Sequence, residues 1–152
     1  MYVRNNDRYY YITLMNENYI HPKRPDNATP ENIMKGAYCF YKPQKPDFRV
    51  LASGLTLNFA LKAKNKLKEF GIDPEIWSVT SFNELYRDGI ESERRERYFS
   101  STVKPYVSSI FADPIPTIAV SEYQRAYANQ IRPWSTSDYI VLGTDGFGRS
   151  DT

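Results

Sequence analysis

The residue types that most often do chemistry are thin in this sequence. Its 152 residues hold one histidine, His21, and one cysteine, Cys39. A structural or catalytic zinc takes three or four His, Cys or carboxylate ligands at short spacings, and this pair does not build that pattern. His21 lies in the run Asn16 to Asn32, which carries Pro22, Pro25 and Pro30 among Asn, Asp and Lys. A Ser-His-Asp triad would have to use that histidine, and neither a G-x-S-x-G elbow nor a Walker loop is present. Cys39 stands between Tyr38 and Phe40 and reads as a small buried hydrophobe, not a nucleophile. One cysteine forms no internal disulfide, which fits a reducing cytosol. No catalytic, cofactor-binding or metal-ligating residue is assigned.

Three other groupings invite a chemical reading. Gly143-Thr144-Asp145-Gly146-Phe147-Gly148 follows an apolar run, so a phosphate-cradling loop has to be considered. The spacing is G-x-x-G-x-G, not the dinucleotide fingerprint, and Asp145 would repel a phosphate. A tight turn packed on a neighbour is the better reading. The carboxylate pairs Glu91/Glu93 and Glu93/Glu96 are interleaved with Arg94, Arg95 and Arg97. That pattern reads as a surface ion-pair network, not as acid–base machinery. Asn16-Glu17-Asn18-Tyr19 follows a β-prone run. Polar residues there either line a ligand site or turn the chain, and composition favours the turn.

The elements that would carry these groups read as alternating strand and helix. Arg8 to Leu14 (RYYYITL) is a first strand, and an irregular connector follows. A short helix is expected from about Pro30 to Gly36, with Thr29 as N-cap and Pro30 at N1. Ala37 to Tyr41 fits a short strand, and Pro43 and Pro46 mark a boundary near residues 42–47. Phe48 to Ser53 is a strand broken by Gly54. Thr56 to Phe70 is a helix closed by Gly71, with Phe59, Ala60, Ala63, Leu67 and Phe70 on one face. Pro74 to Ser81 is a strand. Ser81 with Glu84 has the capping-box spacing of a helix start. Ile90 to Thr102 is charged and expected to be exposed. Tyr106 to Phe111 is expected to be helical, Thr117 to Ser121 a strand, Glu122 to Arg132 a helix stopped by Pro133, and Tyr139 to Gly143 the last strand. This order predicts an α/β fold, with mostly parallel strands and helices on both faces.

Bulk properties exclude several classes of partner. Net charge is +2, too small to argue for nucleic acid or an anionic membrane. No apolar run is long enough to predict a transmembrane helix, and the first residues carry no secretory pattern. Aromatic content is high at 15%, mainly through thirteen tyrosines, which suits half-buried surfaces and interfaces. After Asp151 the reading expects a helix that the sequence does not contain, so the chain looks cut within its fold.

Four stretches carry a family resemblance: YYYITLMNENY (Tyr9 to Tyr19), WSVTSFNELYRDG (Trp77 to Gly89), RAYANQIRPW (Arg125 to Trp134) and VLGTDGFGRSDT (Val141 to Thr152). In order and spacing they resemble the C-terminal part of the homodimeric-type pyruvate dehydrogenase decarboxylating component, a thiamine-diphosphate enzyme with transketolase-like organisation. The resemblance implies a transketolase C-terminal-domain-like sheet, incomplete at its C-terminus. It divides the chain into the last strand of a pyrimidine-binding domain (residues 1–19), a connector (20–47) and the C-terminal domain (48–152). For the full-length parent it implies thiamine diphosphate and Mg²⁺, a cytoplasmic homodimer and a lipoyl acyltransferase as partner. The parent decarboxylates pyruvate and reductively acetylates the lipoyl group. The family's catalytic residues lie upstream of this chain, so the chain alone is expected to be inactive and to bind no cofactor.

What the resemblance carries over is a structural role in domain packing and the dimer interface. It names the loop Asp145, Gly146, Phe147, Gly148, Arg149, Ser150 and Asp151 as the candidate contact. The stretches HPKRPDNATPEN and ESERRERYFS depart from the family pattern, which puts connector contacts and the charged loop in question. Two rival readings are a separately encoded, non-catalytic assembly domain that pairs with a polypeptide carrying the cofactor domains, and a decayed remnant.

Overall fold

Local sequence signals set the strands and helices, and side-chain alternation decides what each face of the sheet meets. The computed structural model describes residues 18–100 and 103–146. The first expected strand, Arg8 to Leu14, lies outside the described residues, as do Asn16, Glu17 and Phe147 to Thr152.

Five strands form one sheet among the described residues: β1 (Ala37–Tyr41), β2 (Arg49–Ala52), β3 (Glu75–Val79), β4 (Thr117–Gln124) and β5 (Tyr139–Thr144). Their order is β1-β3-β2-β4-β5. β2 runs parallel to β3 and β4, and β4 parallel to β5, while β1 closes one edge antiparallel to β3. The mostly parallel α/β sheet expected from the alternation is the observed architecture. Ala37 to Tyr41, read as part of the connector, contributes this edge strand.

The helices are α1 (Pro30–Met34), α2 (Thr56–Lys68), α3 (Phe82–Phe99), α4 (Tyr106–Ile110) and α5 (Arg125–Asn129), with a 3₁₀ turn at Arg132–Trp134. Thr29 caps α1 by accepting from the Asn32 N–H, and Ser81 caps α3 by accepting from the Glu84 N–H. Only half of the expected capping box forms. Glu84 turns outward to Arg87, and the Ser81 N–H donates to the Gly36 carbonyl. Gly36 has φ +104°, and a Cβ there would stand 2.6 Å from the Ser81 carbonyl oxygen, so only glycine fits this crossing.

Because side chains alternate along a strand, the sheet has two distinct faces. Leu51, Trp77, Val79, Ala119, Tyr139 and Val141 point to one. There they pack with Phe82 and Leu85 of α3, Val107 of α4, Phe111, Ala128 of α5 and Ile131. Val50, Ala52 and Ile76 point to the other, where Leu57 and Ala60 of α2 cover them. The crossover β2-α2-β3 therefore lies on the opposite face from α3, α4 and α5, as the right-handed rule requires.

Three elements differ from the sequence reading. The charged stretch after Ile90 is exposed as expected, yet it continues α3 to Phe99 and ends in a left-handed cap at Ser100. Glu91 pairs with Arg94 and Arg95 one turn on, and Glu and Arg are strong helix formers. β4 runs on to Gln124, because Gln124 pairs with Thr144 after an irregularity. The expected helix over Glu122 to Arg132 therefore shortens to five residues and a 3₁₀ turn. On α2 the apolar face is only partly buried. Leu57 and Ala60 are covered, while Phe59 is 56% exposed; the helix ends at Lys68, two residues short of the expected Phe70, which lies beyond it and is 77% exposed.

Candidate functional site

The uncovered part of α2 adjoins an uncovered part of the sheet. Ile118 and Val120 of β4 and Ile140 and Leu142 of β5 point to the α2 face. α2 lies over β2 and reaches only the near side of β4. Ile140 is 57% and Leu142 53% exposed. A groove of about 260 Å³ runs between α2 and the sheet, lined by Phe48, Phe59, Ala63, Leu67, Val120 and Leu142 among others. Its lining is almost wholly apolar. β5 is also the free edge of the sheet, hydrogen-bonded to β4 alone among the described strands. Parallel sheets are normally covered on both faces and their strands read apolar on both sides. This corner has the residues for a covered face, and no described residue supplies the cover.

The end of β5 is held tightly to its neighbours. A Cβ at Gly143 would lie 2.7 Å from the Tyr123 carbonyl oxygen and 3.2 Å from the Arg125 backbone nitrogen. Two backbones therefore pass here at glycine distance. Asp145 pairs with Arg125 at 2.9 Å, and the Thr144 hydroxyl donates to the Gly146 carbonyl at 2.6 Å. Of the candidate contact loop, Asp145 and Gly146 are thus at the end of β5. Phe147, Gly148, Arg149, Ser150 and Asp151 lie outside the described residues.

The second concentration of polar groups sits at the opposite end of the strands. Glu75, Arg49, Thr117 and Tyr139 are in register across β3, β2, β4 and β5. Arg49 is 1% exposed and Glu75 fully buried. The Arg49 Nε donates to Glu75 Oε1, which also accepts from the Trp77 indole N–H at 3.0 Å. The guanidinium lies over the Phe111 ring, 4.9 Å from its centroid, and reaches the Asp113 carbonyl at 3.4 Å. Lys42 closes the cluster from outside, 3.6 Å from Glu75 Oε2 and 3.1 Å from Asp113. The Lys42 ammonium holds the Asp113 carboxyl below the usual range. Sequence reasoning did not single out Arg49 or Glu75. The available signal was a charged residue of each sign opening two neighbouring parallel strands.

This cluster is a buried ion pair. Glu75 Oε1 is taken by Arg49 and Trp77 while Oε2 has only Lys42 near it, at 3.6 Å, and the position is at the amino ends of the parallel strands, whereas ligands of such sheets gather at the carboxyl ends. Among the described residues no three His, Cys, Asp or Glu side chains converge to hold a metal ion. His21 stacks against Tyr19, ring centroids 4.9 Å apart, away from both clusters. Tyr19 and Ile20 lie along α2, where Asn58 donates to the Ile20 carbonyl. Cys39 is half-buried, and burial together with Glu75 pushes its thiol pKa up, which suits a packed thiol and not a nucleophile.

Comparison with known proteins joins this geometry to a lineage. The family described as the transketolase-like TK C-terminal domain matches residues 36–152. The chain belongs to that family. The match begins one residue before β1, so the antiparallel edge strand is inside the family's span. Pyruvate dehydrogenase E1 components are similar in sequence. The one from Pseudomonas aeruginosa is 44% identical over 155 residues, covering 96% of this chain and 17% of its own length. That of Mycobacterium tuberculosis is 40% identical over 151 residues, covering 95% and 16%. The chain thus spans about one sixth of these relatives. Among solved structures, a Pichia stipitis transketolase variant superposes with a TM-score of 0.55 at 20% identity, over 84% of this chain and 16% of its own. A Campylobacter jejuni transketolase gives 0.53 at 22% identity, over 84% and 16%. These likenesses establish the transketolase-like C-terminal fold of the sheet.

Proposed function

We propose that this chain is the C-terminal domain portion of a pyruvate dehydrogenase decarboxylating component and that it serves assembly instead of chemistry. The observation that carries the reading is the apolar corner over β4 and β5 that the described residues leave uncovered. Apolar strand faces of this kind are stable only when buried, so this surface fits contact with further protein. In the parent, that protein is the remainder of the polypeptide and its dimer mate. We assign the Asp145–Asp151 loop, which follows that strand in the sequence, to assembly as well. Thiamine diphosphate and Mg²⁺ bind to the upstream domains. The parent decarboxylates pyruvate there and passes the acetyl unit to the lipoyl group of an acyltransferase, in the cytoplasm.

The test is isothermal titration of the chain with thiamine diphosphate and Mg²⁺. The chain alone is expected to give no saturable heat. Saturable micromolar binding by the chain alone would overturn the assignment of a non-catalytic role.

A further inference from the structure

A polar cleft on the other face of β5 is not accounted for by the assembly reading. It has a volume of about 290 Å³, lies between α5 and β5, and opens at the carboxyl ends of β4 and β5. Arg125, Asn129 and Arg132 follow one another at spacings of four and three, so they fall on one side of this helical segment. All three line the cleft, with Val141 as an apolar floor and Thr144 and Asp145 at the rim.

The two guanidinium groups are held differently. Arg125 is neutralised by Asp145 at 2.9 Å. Arg132 donates through Nε to Asn129 Oδ1 at 2.7 Å, and its guanidinium lies 5.3 Å from the centre of the Tyr139 ring. Tyr139 is itself fixed, buried and donating to the Ala128 carbonyl at 2.8 Å. Arg132 is therefore oriented by two neutral contacts and has no carboxylate partner among the described residues. A guanidinium held by one edge leaves its other N–H groups free in the planar arrangement that matches two oxygens of one anion.

From this geometry we propose that the cleft binds a small molecule through an oxyanion group, phosphoryl or carboxylate. Arg132 is the principal ligand, and Arg125 joins it by exchanging Asp145 for the anion. The proposal goes beyond the assembly reading: Arg132 and Asn129 lie outside the contact loop and on the opposite face from the apolar groove, and Asp145 is the one residue the two readings share.

The full chain is titrated with inorganic phosphate and, separately, with malonate, at constant ionic strength held with chloride. The Arg side-chain N–H resonances report by NMR. A saturable shift of the Arg132 resonance is expected, and whichever anion binds more tightly identifies the oxyanion. Arg132→Gln is expected to weaken binding about ten-fold, the loss of one charge-assisted contact. Asp145→Asn, which frees Arg125, is expected to tighten it, and Arg94→Gln on distant α3 to leave it unchanged. Absence of saturation with both anions would overturn the proposal. So would equal anion-induced shifts of the Arg125 resonance in Arg132→Gln and Arg94→Gln, which would reduce the effect to general screening. Should Arg132→Gln fail to fold, the Asp145→Asn result decides, and unchanged binding there sinks the proposal.

Discussion

The two faces of the sheet use the same strands to opposite effect. On the face toward α3, α4 and α5, Leu51, Trp77, Val79, Ala119, Tyr139 and Val141 of the strands are buried, and the aromatic contacts are ordered: Trp77 meets Phe111 edge-on at 5.1 Å and Phe82 meets Tyr127 at 5.5 Å. On the face toward α2 the cover stops at β4, and residues of the same apolar type stand half in water. Composition does not separate the faces; helices do. Three helices follow β3 and β4 on the first face, and one follows β2 on the second. The difference teaches that the domain's own core is closed on one face, while the apolar residues of β5 toward α2 are left without a cover among the described residues.

Large-to-small substitutions sharpen that contrast most. Phe82→Ala on the closed face is expected to cost about 3–5 kcal/mol in urea unfolding. Leu142→Ala on the open face of the isolated chain is expected to fall within about 0.5 kcal/mol of the parent. Equal losses would erase the distinction between the faces.

The buried ion pair gives the next largest effect. Arg49→Met strands the Glu75 carboxylate in the core, at a cost of about 3–5 kcal/mol by thermal or urea unfolding. The double change Arg49→Met with Glu75→Met is expected to recover much of that loss, because no uncompensated charge is left. No recovery would mean the arginine matters through its Phe111 contact instead.

Loss of the α3 cap is smaller. Ser81→Ala removes the acceptor for the Glu84 N–H and is expected to cost about 1 kcal/mol. The effect should appear in the closed-face core, since Phe82 and Leu85 sit in the first turn of α3.

The smallest effect is chemical. Cys39 has its pKa raised by burial first and by Glu75 second, so a smaller share of it is thiolate than in free cysteine at the same pH. It is expected to react with a disulfide reagent more slowly than free cysteine, the gap narrowing as pH rises and unfolding abolishing it. Reaction as fast as free cysteine in the folded chain would contradict the burial seen at β1.

Much of the fold was legible because its signals are local. Thr29 with Pro30 and Ser81 before Phe82 announced two helix starts, and Gly71, at φ +74°, announced the end of α2. The apolar runs of β2, β3, β4 and β5 are short and bounded by Pro or Gly. What was not legible depends on distant partners. The turn from β4 into α5 is set by pairing of Gln124 with Thr144, which a 3.6-residue periodicity over Glu122 to Arg132 cannot reveal. The apolar arc of α2 predicted burial for Phe59 and Phe70, but burial requires something to pack against, and the sheet beneath reaches only Leu57 and Ala60. The Arg49–Glu75 pair was hidden for the same reason: each residue is unremarkable in its own strand and acquires meaning only when the strands lie side by side. The candidate loop was legible as a glycine-rich turn, while the Arg132 cleft required the fold of α5 against β5.

Association of the open corner tests the central claim most directly. Sedimentation velocity would compare the chain and its Leu142→Asp variant, each mixed with the upstream, cofactor-domain part of the Pseudomonas aeruginosa relative. The parent chain is expected to co-sediment with that part, and Leu142→Asp to keep its fold and melting temperature yet sediment alone. Undiminished association of a folded Leu142→Asp variant, or no association of the parent chain, would contradict the assignment of this face to assembly.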